Sequence, residues 1–138
     1  MIERRFFDTN ILLYLYDQRD AAKRMRAVEI FRECVNAGTL VISTQVIQEF
    51  YAAATRKLNL DPLKARELVS GLCRLRIVSI HCTHILRATD IQSRFQISFW
   101  DALILATAAA AGARVLYTED LQHGQAYDEV EARNPFRN

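Results

Sequence analysis

The 138-residue sequence predicts an α/β fold with a mainly parallel sheet covered on both faces. Two observations carry this. Apolar segments of three or four residues, Leu40-Val41-Ile42, Ile77-Val78-Ser79-Ile80 and Val115-Leu116-Tyr117, show no alternation, as expected of strands buried on both faces. Stretches of helical period separate them, which implies βαβ units with right-handed crossovers. With only 4 Gly and 2 Pro there is no linker-like segment, so residues 1–138 read as one domain.

Arg5 to Asp8 reads as the first strand, with Asp8 or Thr9 capping an apolar helix that starts near Ile11. Residues Ile11 to Tyr16 are apolar all round, so this helix is either buried or offers a groove to another chain. Met25, Val28, Ile30, Phe31 and Val35 give the next helix its period, and Gly38 ends it. After the second strand, Thr44 is expected to cap a helix with Val46, Ile47, Phe50, Tyr51, Ala54 and Leu58 on one face. Asp61-Pro62 opens another helix, with Pro62 at its first position, running to about Cys73. The third strand spans Ile77 to Ile80, and Thr83 begins a helix through Ile85, Leu86, Ala88, Ile91 and Phe95. Ser98 and Asp101 form an S-x-x-D start for the Ala-rich helix that ends near Gly112. Val115 to Tyr117 is the fourth strand, and Glu129 to Arg133 a candidate fifth at the edge.

Composition excludes several classes. At 51% hydrophobic and 25% charged residues, the chain is neither disordered nor fibrous. A net charge of +2 names no partner. Cys34, Cys73 and Cys82 are odd in number and lack a CxxC pair, which favours a reducing compartment over a disulfide scaffold. The apolar stretch after Arg5 is too short for a signal peptide. The apolar, largely alanine run Ala102 to Ala113 is 12 residues, short of the ~20 that span a bilayer. The expected location is the cytoplasm, with no membrane partner. There is no G-x-S-x-G elbow and no glycine-rich phosphate loop. His81-Cys82-Thr83-His84 is too crowded for a zinc site and reads as a helix start.

The chemistry lies in four acids. Asp8 interrupts an apolar run, and Asp101 is the only ionisable side chain between Arg94 and Arg114. A carboxylate amid apolar surface costs several kcal/mol unless it is paired, hydrogen-bonded or bound to a cation. Each acid also has an ordinary structural role open to it. Asp8 can cap a helix, Asp101 can complete a capping box, Glu49 can project beside the apolar stripe into solvent, and Asp120 can be a turn residue. The topology nevertheless brings all four to the carboxyl edge of one sheet, where ligands of such folds bind. Carboxylates gathered there without basic partners repel one another, and a hard divalent cation such as Mg²⁺ or Mn²⁺ removes the penalty. Such a centre suits phosphodiester hydrolysis by an activated water.

Phe7-Asp8-Thr9-Asn10, Gln48-Glu49-Phe50, Trp100-Asp101-Ala102 and Thr118-Glu119-Asp120 resemble the successive acidic motifs of the PIN domain family, and within it the toxin ribonucleases of the VapC type. The resemblance implies a three-layer α/β/α sandwich with a central, mainly parallel sheet of four to five strands. It implies a Mg²⁺- or Mn²⁺-dependent endoribonuclease acting on single-stranded RNA, the toxin of a type II toxin-antitoxin pair. It carries metal and catalytic roles onto Asp8, Glu49, Asp101 and Asp120, with Thr9, Asn10 and Thr118 in support. It further implies a homodimer and a small antitoxin partner. Many members have a second acid two residues beyond the last motif, where this chain has Gln122. Arg56, Lys57, Lys64, Arg66, Arg74 and Arg76 form a local basic excess, with Arg56 and Lys57 the candidates for substrate contact. A non-catalytic RNA- or protein-binding module on the same fold and a housekeeping RNA-processing nuclease are the alternatives.

Overall fold

A computed structural model describes residues 3–137. Among them, six strands form one sheet: β1 (Arg4–Phe7), β2 (Leu40–Ser43), β3 (Arg76–Val78), β4 (Ala113–Tyr117), β5 (Ala126–Tyr127) and β6 (Val130–Arg133). The helices are α1 (Thr9–Tyr14), α2 (Ala21–Ala37), α3 (Thr44–Arg56), α4 (Pro62–Leu72), α5 (Cys82–Phe95) and α6 (Phe99–Ala110). The strand order is β3-β2-β1-β4-β6-β5, and every pairing is parallel except β5 with β6.

This order follows from the connections. The crossovers β1-α1-α2-β2 and β2-α3-α4-β3 step in one direction, and β3-α5-α6-β4 returns past β1 to its other side. With right-handed crossovers, α1 to α4 cover one face and α5 with α6 the other, giving the sandwich. The two directions of growth part between β1 and β4. A switch point of this kind leaves a crevice beyond the carboxyl ends of the two strands. Phe6 and Phe7 point to opposite faces of β1, and both are fully buried, as a central strand in a covered sheet requires.

Three sequence expectations are corrected. Ser43, not Thr44, caps α3: its backbone is extended and its hydroxyl accepts from Val46 N at 3.3 Å, while Thr44 is the first helical residue. The sixth strand was not visible in the pattern because β5 has only two residues. Its hairpin with β6 makes β5 the sheet edge, so the segment expected at the edge, Glu129 to Arg133, lies inside as β6. The hairpin turns at Asp128, whose left-handed φ of 56° is held by two hydrogen bonds from Arg94 at 2.9 and 2.8 Å. The third strand stops at Val78, two residues before the expected Ile80.

Gly38 ends α2 at φ 71°, where a side chain would be strained. Of the apolar stretch Ile11 to Tyr16, Ile11, Leu12 and Leu13 are buried, Tyr14 and Leu15 are half-buried and Tyr16 is exposed, so the core takes up part of its apolar surface. In α6, residues 102 to 108 are buried all round. Its alanines let the helix press closely on the sheet, which brings Asp101, in its first turn, to the sheet edge. No helix among the described residues is long and apolar enough to cross a membrane, and all three cysteines are free.

Candidate metal centre

β1 ends at Phe7, and Asp8 N continues the ladder by donating to Tyr117 O at 3.0 Å. Its carboxylate is then carried to the switch point. Asp8 caps α1, one oxygen accepting from Thr9 N at 2.7 Å, and the other accepts from the Thr118 hydroxyl at 2.8 Å. Thr118, almost fully buried just after β4, also accepts from Asp120 N at 3.0 Å. A single hydroxyl thus fixes Asp8 and the turn that carries Asp120.

Asp101 reaches the same place from α6. Ser98 caps that helix, its hydroxyl accepting from Asp101 N at 3.1 Å, and the Asp101 carboxylate is turned to the other acids. One oxygen from each of Asp8, Asp101 and Asp120 lies within 4.8 Å of the other two. An ion with oxygen ligands at roughly 2.1–2.4 Å spans such a set. Asp8 is 7% exposed, Asp101 half-buried and Asp120 exposed, so the set opens from a closed floor to solvent.

No Lys or Arg forms a salt bridge to these three acids among the described residues. Burial pushes the Asp8 carboxyl up to about 7, and the charges of Asp120 and Asp101 push the same way against the hydrogen bonds from Thr118 and Thr9. Asp101 is also raised, first by burial and then by Asp120 and Glu49, with the Ser98 hydroxyl opposing. A hard cation answers both the oxygen-only donor set and the uncompensated charge, so these residues fit a divalent metal.

Glu49 lines the same cleft from α3 but is outside the three-oxygen set. It is half-buried rather than free in solvent. Its carboxylate accepts from the Thr9 hydroxyl at 2.6 Å and from Gln45 Nε2 at 3.4 Å. Thr9 therefore joins Asp8, through its backbone, to Glu49, through its side chain. Asn10 lines the cleft beside them.

The cleft is about 300 Å³, and Arg56 and Lys57 stand on its rim. The other four basic residues of the 56 to 76 stretch do not line it. Gln122 is exposed and also outside. His123 accepts from Asn134 N at 2.9 Å and so holds the C-terminal segment. His81 and His84 close the N-terminus of α5, with His84 Nδ1 accepting from His81 N at 2.9 Å, in keeping with the helix-start reading.

Sequence reasoning did not single out three features. Gln45, 5% exposed, donates to Glu49 and to Trp100 O and thereby links α3 to α6. Its place one helical turn before Glu49 was the available signal. Trp100 stands at the mouth beside Asp101. Glu119 is drawn away from its neighbour Asp120: Tyr14 donates to one of its oxygens at 2.6 Å and Lys23 to the other at 2.5 Å. Nothing in the local sequence marks that long-range grip.

The family model described as PIN domain matches residues 5–129. Comparison with curated proteins gives no match. Among solved structures, the chain is similar to a toxin-antitoxin complex from Klebsiella pneumoniae, at 24% identity and a TM-score of 0.61, covering 84% of this chain and 88% of that one. It is similar to DNA-bound VapBC from Salmonella typhimurium at 17% identity and a TM-score of 0.68, covering 96% and 98%. It also resembles VapC20 from Mycobacterium tuberculosis, a toxin that cleaves the sarcin-ricin loop, at 19% identity and a TM-score of 0.66, covering 84% and 89%.

Proposed function

The chain belongs to the PIN domain family, and from that membership we propose that it is a divalent-cation-dependent endoribonuclease of single-stranded RNA, the toxin of a type II toxin-antitoxin pair. The observation that carries the nuclease reading is the set of three carboxylate oxygens within 4.8 Å of one another, with no salt bridge to them among the described residues. Asp8, Asp101 and Asp120 hold the cation. Glu49 accepts from the Thr9 hydroxyl and stands beside them to orient water. Thr9 and Thr118 fix Asp8, and Asn10 adds a polar group at the floor. Arg56 and Lys57 hold phosphates of the backbone at the rim.

Bound Mg²⁺ or Mn²⁺ supplies charge neutralisation and a water of lowered pKa for in-line attack on phosphorus. The exposed Asp120 and the half-buried Asp101 leave the outer side open, which a polymeric substrate requires. Asp8, anchored at both oxygens, keeps the floor rigid. Hydrolysis adds water across one P–O bond, and no side chain of the chain becomes covalently attached.

The toxin assignment draws on likeness to toxin-antitoxin complexes that extends over 84% to 96% of the chain. The partners are then a small antitoxin protein and a second copy of the chain, with residues 1–138 acting as one domain in the cytoplasm. A short reading frame for a DNA-binding protein beside this gene is the expected context.

The activity is tested with purified protein and defined RNA pools. Cleavage is expected with Mg²⁺ or Mn²⁺, and loss of at least about 100-fold in Asp8→Asn and Asp101→Asn, as for removal of a central charge-stabilising group. Full cleavage in excess EDTA, or by both variants, would overturn the reading. Asp8 also caps α1, so thermal melts accompany the assay to separate lost chemistry from lost fold.

A further inference from the structure

We propose that Trp100 is a stacking platform for a nucleobase, seating one base of single-stranded RNA against the mouth of the acid cleft. The substrate class rests on the nuclease reading; the ring's role rests on its own geometry. Trp100 is the only tryptophan of the chain and is 61% exposed at the start of α6. Among the large exposed apolar side chains of the described residues, it alone lines the cleft. An open indole at such a place is unusual, because tryptophan is normally well covered.

The ring is also held. Phe99, packed against the core, meets it edge-on at 5.1 Å between centroids and 78° between planes. That contact braces the indole and leaves most of its surface to solvent. Below it, Gln45 Nε2 donates to Trp100 O at 3.3 Å, tying its backbone to α3. The next residue is Asp101, so a stacked base is placed beside the three carboxylates.

What surrounds the ring chooses the ligand. A protein-docking patch is a contiguous apolar surface, whereas the walls here carry Asn10, Gln45, Arg56 and Lys57. Arg56 and Lys57 form no salt bridge among the described residues, leaving two cations for phosphates. An aromatic face, backbone cations and little base-edge hydrogen bonding is the pattern of single-strand binding.

The lone tryptophan makes the test direct. The full chain with Asp101→Asn, which spares the RNA, is titrated with a single-stranded oligoribonucleotide of about eight nucleotides and with its abasic counterpart. Indole fluorescence is expected to be quenched to saturation by the first and not by the second. With fluorophore-labelled RNA, Trp100→Ala should bind about 5- to 100-fold more weakly, Trp100→Phe should recover most of this, and Trp100→Leu should not. Melting temperatures should stay unchanged, since the ring is exposed. Absent quenching, or unaltered RNA affinity in Trp100→Ala, overturns the inference and leaves the ring to a protein contact. The two readings separate in protein that keeps Asp101: cleavage with an unchanged KM in Trp100→Ala refutes the stacking role alone, and quenching of Trp100 without any cleavage refutes the nuclease alone.

Discussion

Replacing Asp8 by Asn should stabilise the metal-free protein at pH 8 and not at pH 4. Burial and two neighbouring acids raise the Asp8 carboxyl from 3.8 to about 7. Between those values the folded chain holds a proton that the unfolded chain has lost, so stability falls as pH rises through this window. The penalty is complete above about pH 7. A difference of about three pH units corresponds to an upper value of roughly 4 kcal/mol. Asn keeps an oxygen to accept from Thr9 N but disturbs the bond from the Thr118 hydroxyl, a loss of about 1 kcal/mol. The net gain at pH 8 in EDTA is therefore up to about 3 kcal/mol, or roughly 10 °C in a chain of this size. At pH 4 only the lost bond remains, and the variant should melt slightly below wild type. The assay is a series of thermal melts in EDTA from pH 4 to 8.5. A variant less stable than wild type at pH 8, or a difference constant across the series, would show that Asp8 is merely a satisfied cap and refute the clustered-charge argument.

In the same melts, Mg²⁺ or Mn²⁺ should raise the wild-type melting temperature at pH 8 by mass action and have little effect on Asp8→Asn; equal shifts in both would count against a shared site. Thr118→Val removes the hydroxyl that donates to Asp8 and accepts from Asp120 N, and should weaken Mn²⁺ affinity by about 10- to 100-fold in calorimetry, as loss of a ligand's hydrogen-bond partner does. Gln45→Leu leaves Glu49 with the Thr9 bond alone, and kcat should fall several-fold with little change in RNA affinity; an unchanged kcat would remove the linking role given to this amide. Lys23→Met should lower activity without abolishing it, by loosening Glu119 and the turn that carries Asp120, and wild-type kinetics would argue against that coupling.

The parallel sheet was readable from its unalternating apolar strands, Asp8 and Asp101 from charges set inside apolar runs, and Asp120 only from its place just after the fourth strand and the motif it completes. Glu49 was readable as a member of the cleft but not of the three-oxygen set, because a helical wheel gives an azimuth and not a reach. The cap of α3 was misplaced by one residue, since Ser43 and Thr44 are chemically equivalent and only backbone conformation separates them. The β5 edge escaped because two residues carry no period. Gln45, Trp100 and the Tyr14–Lys23–Glu119 group were missed for a different reason. The contacts Gln45–Trp100, Lys23–Glu119 and Tyr14–Glu119 join residues 55 to 105 positions apart, which no local pattern encodes.

The adjacent acids Glu119 and Asp120 have opposite fates, and this decides what can neutralise the cleft. A lysine near a group of carboxylates is an internal counter-ion, able to swing in and compete with a cation from solution. Lys23 is denied that freedom, because Glu119 holds its ammonium at 2.5 Å and the Tyr14 and Phe136 rings lie 5.0 and 5.3 Å from it. Glu119 is therefore a decoy acid. By keeping that ammonium occupied, it withholds one cation from the three carboxylates, and Arg56 and Lys57 on the cleft wall are the cations left to meet an anionic substrate.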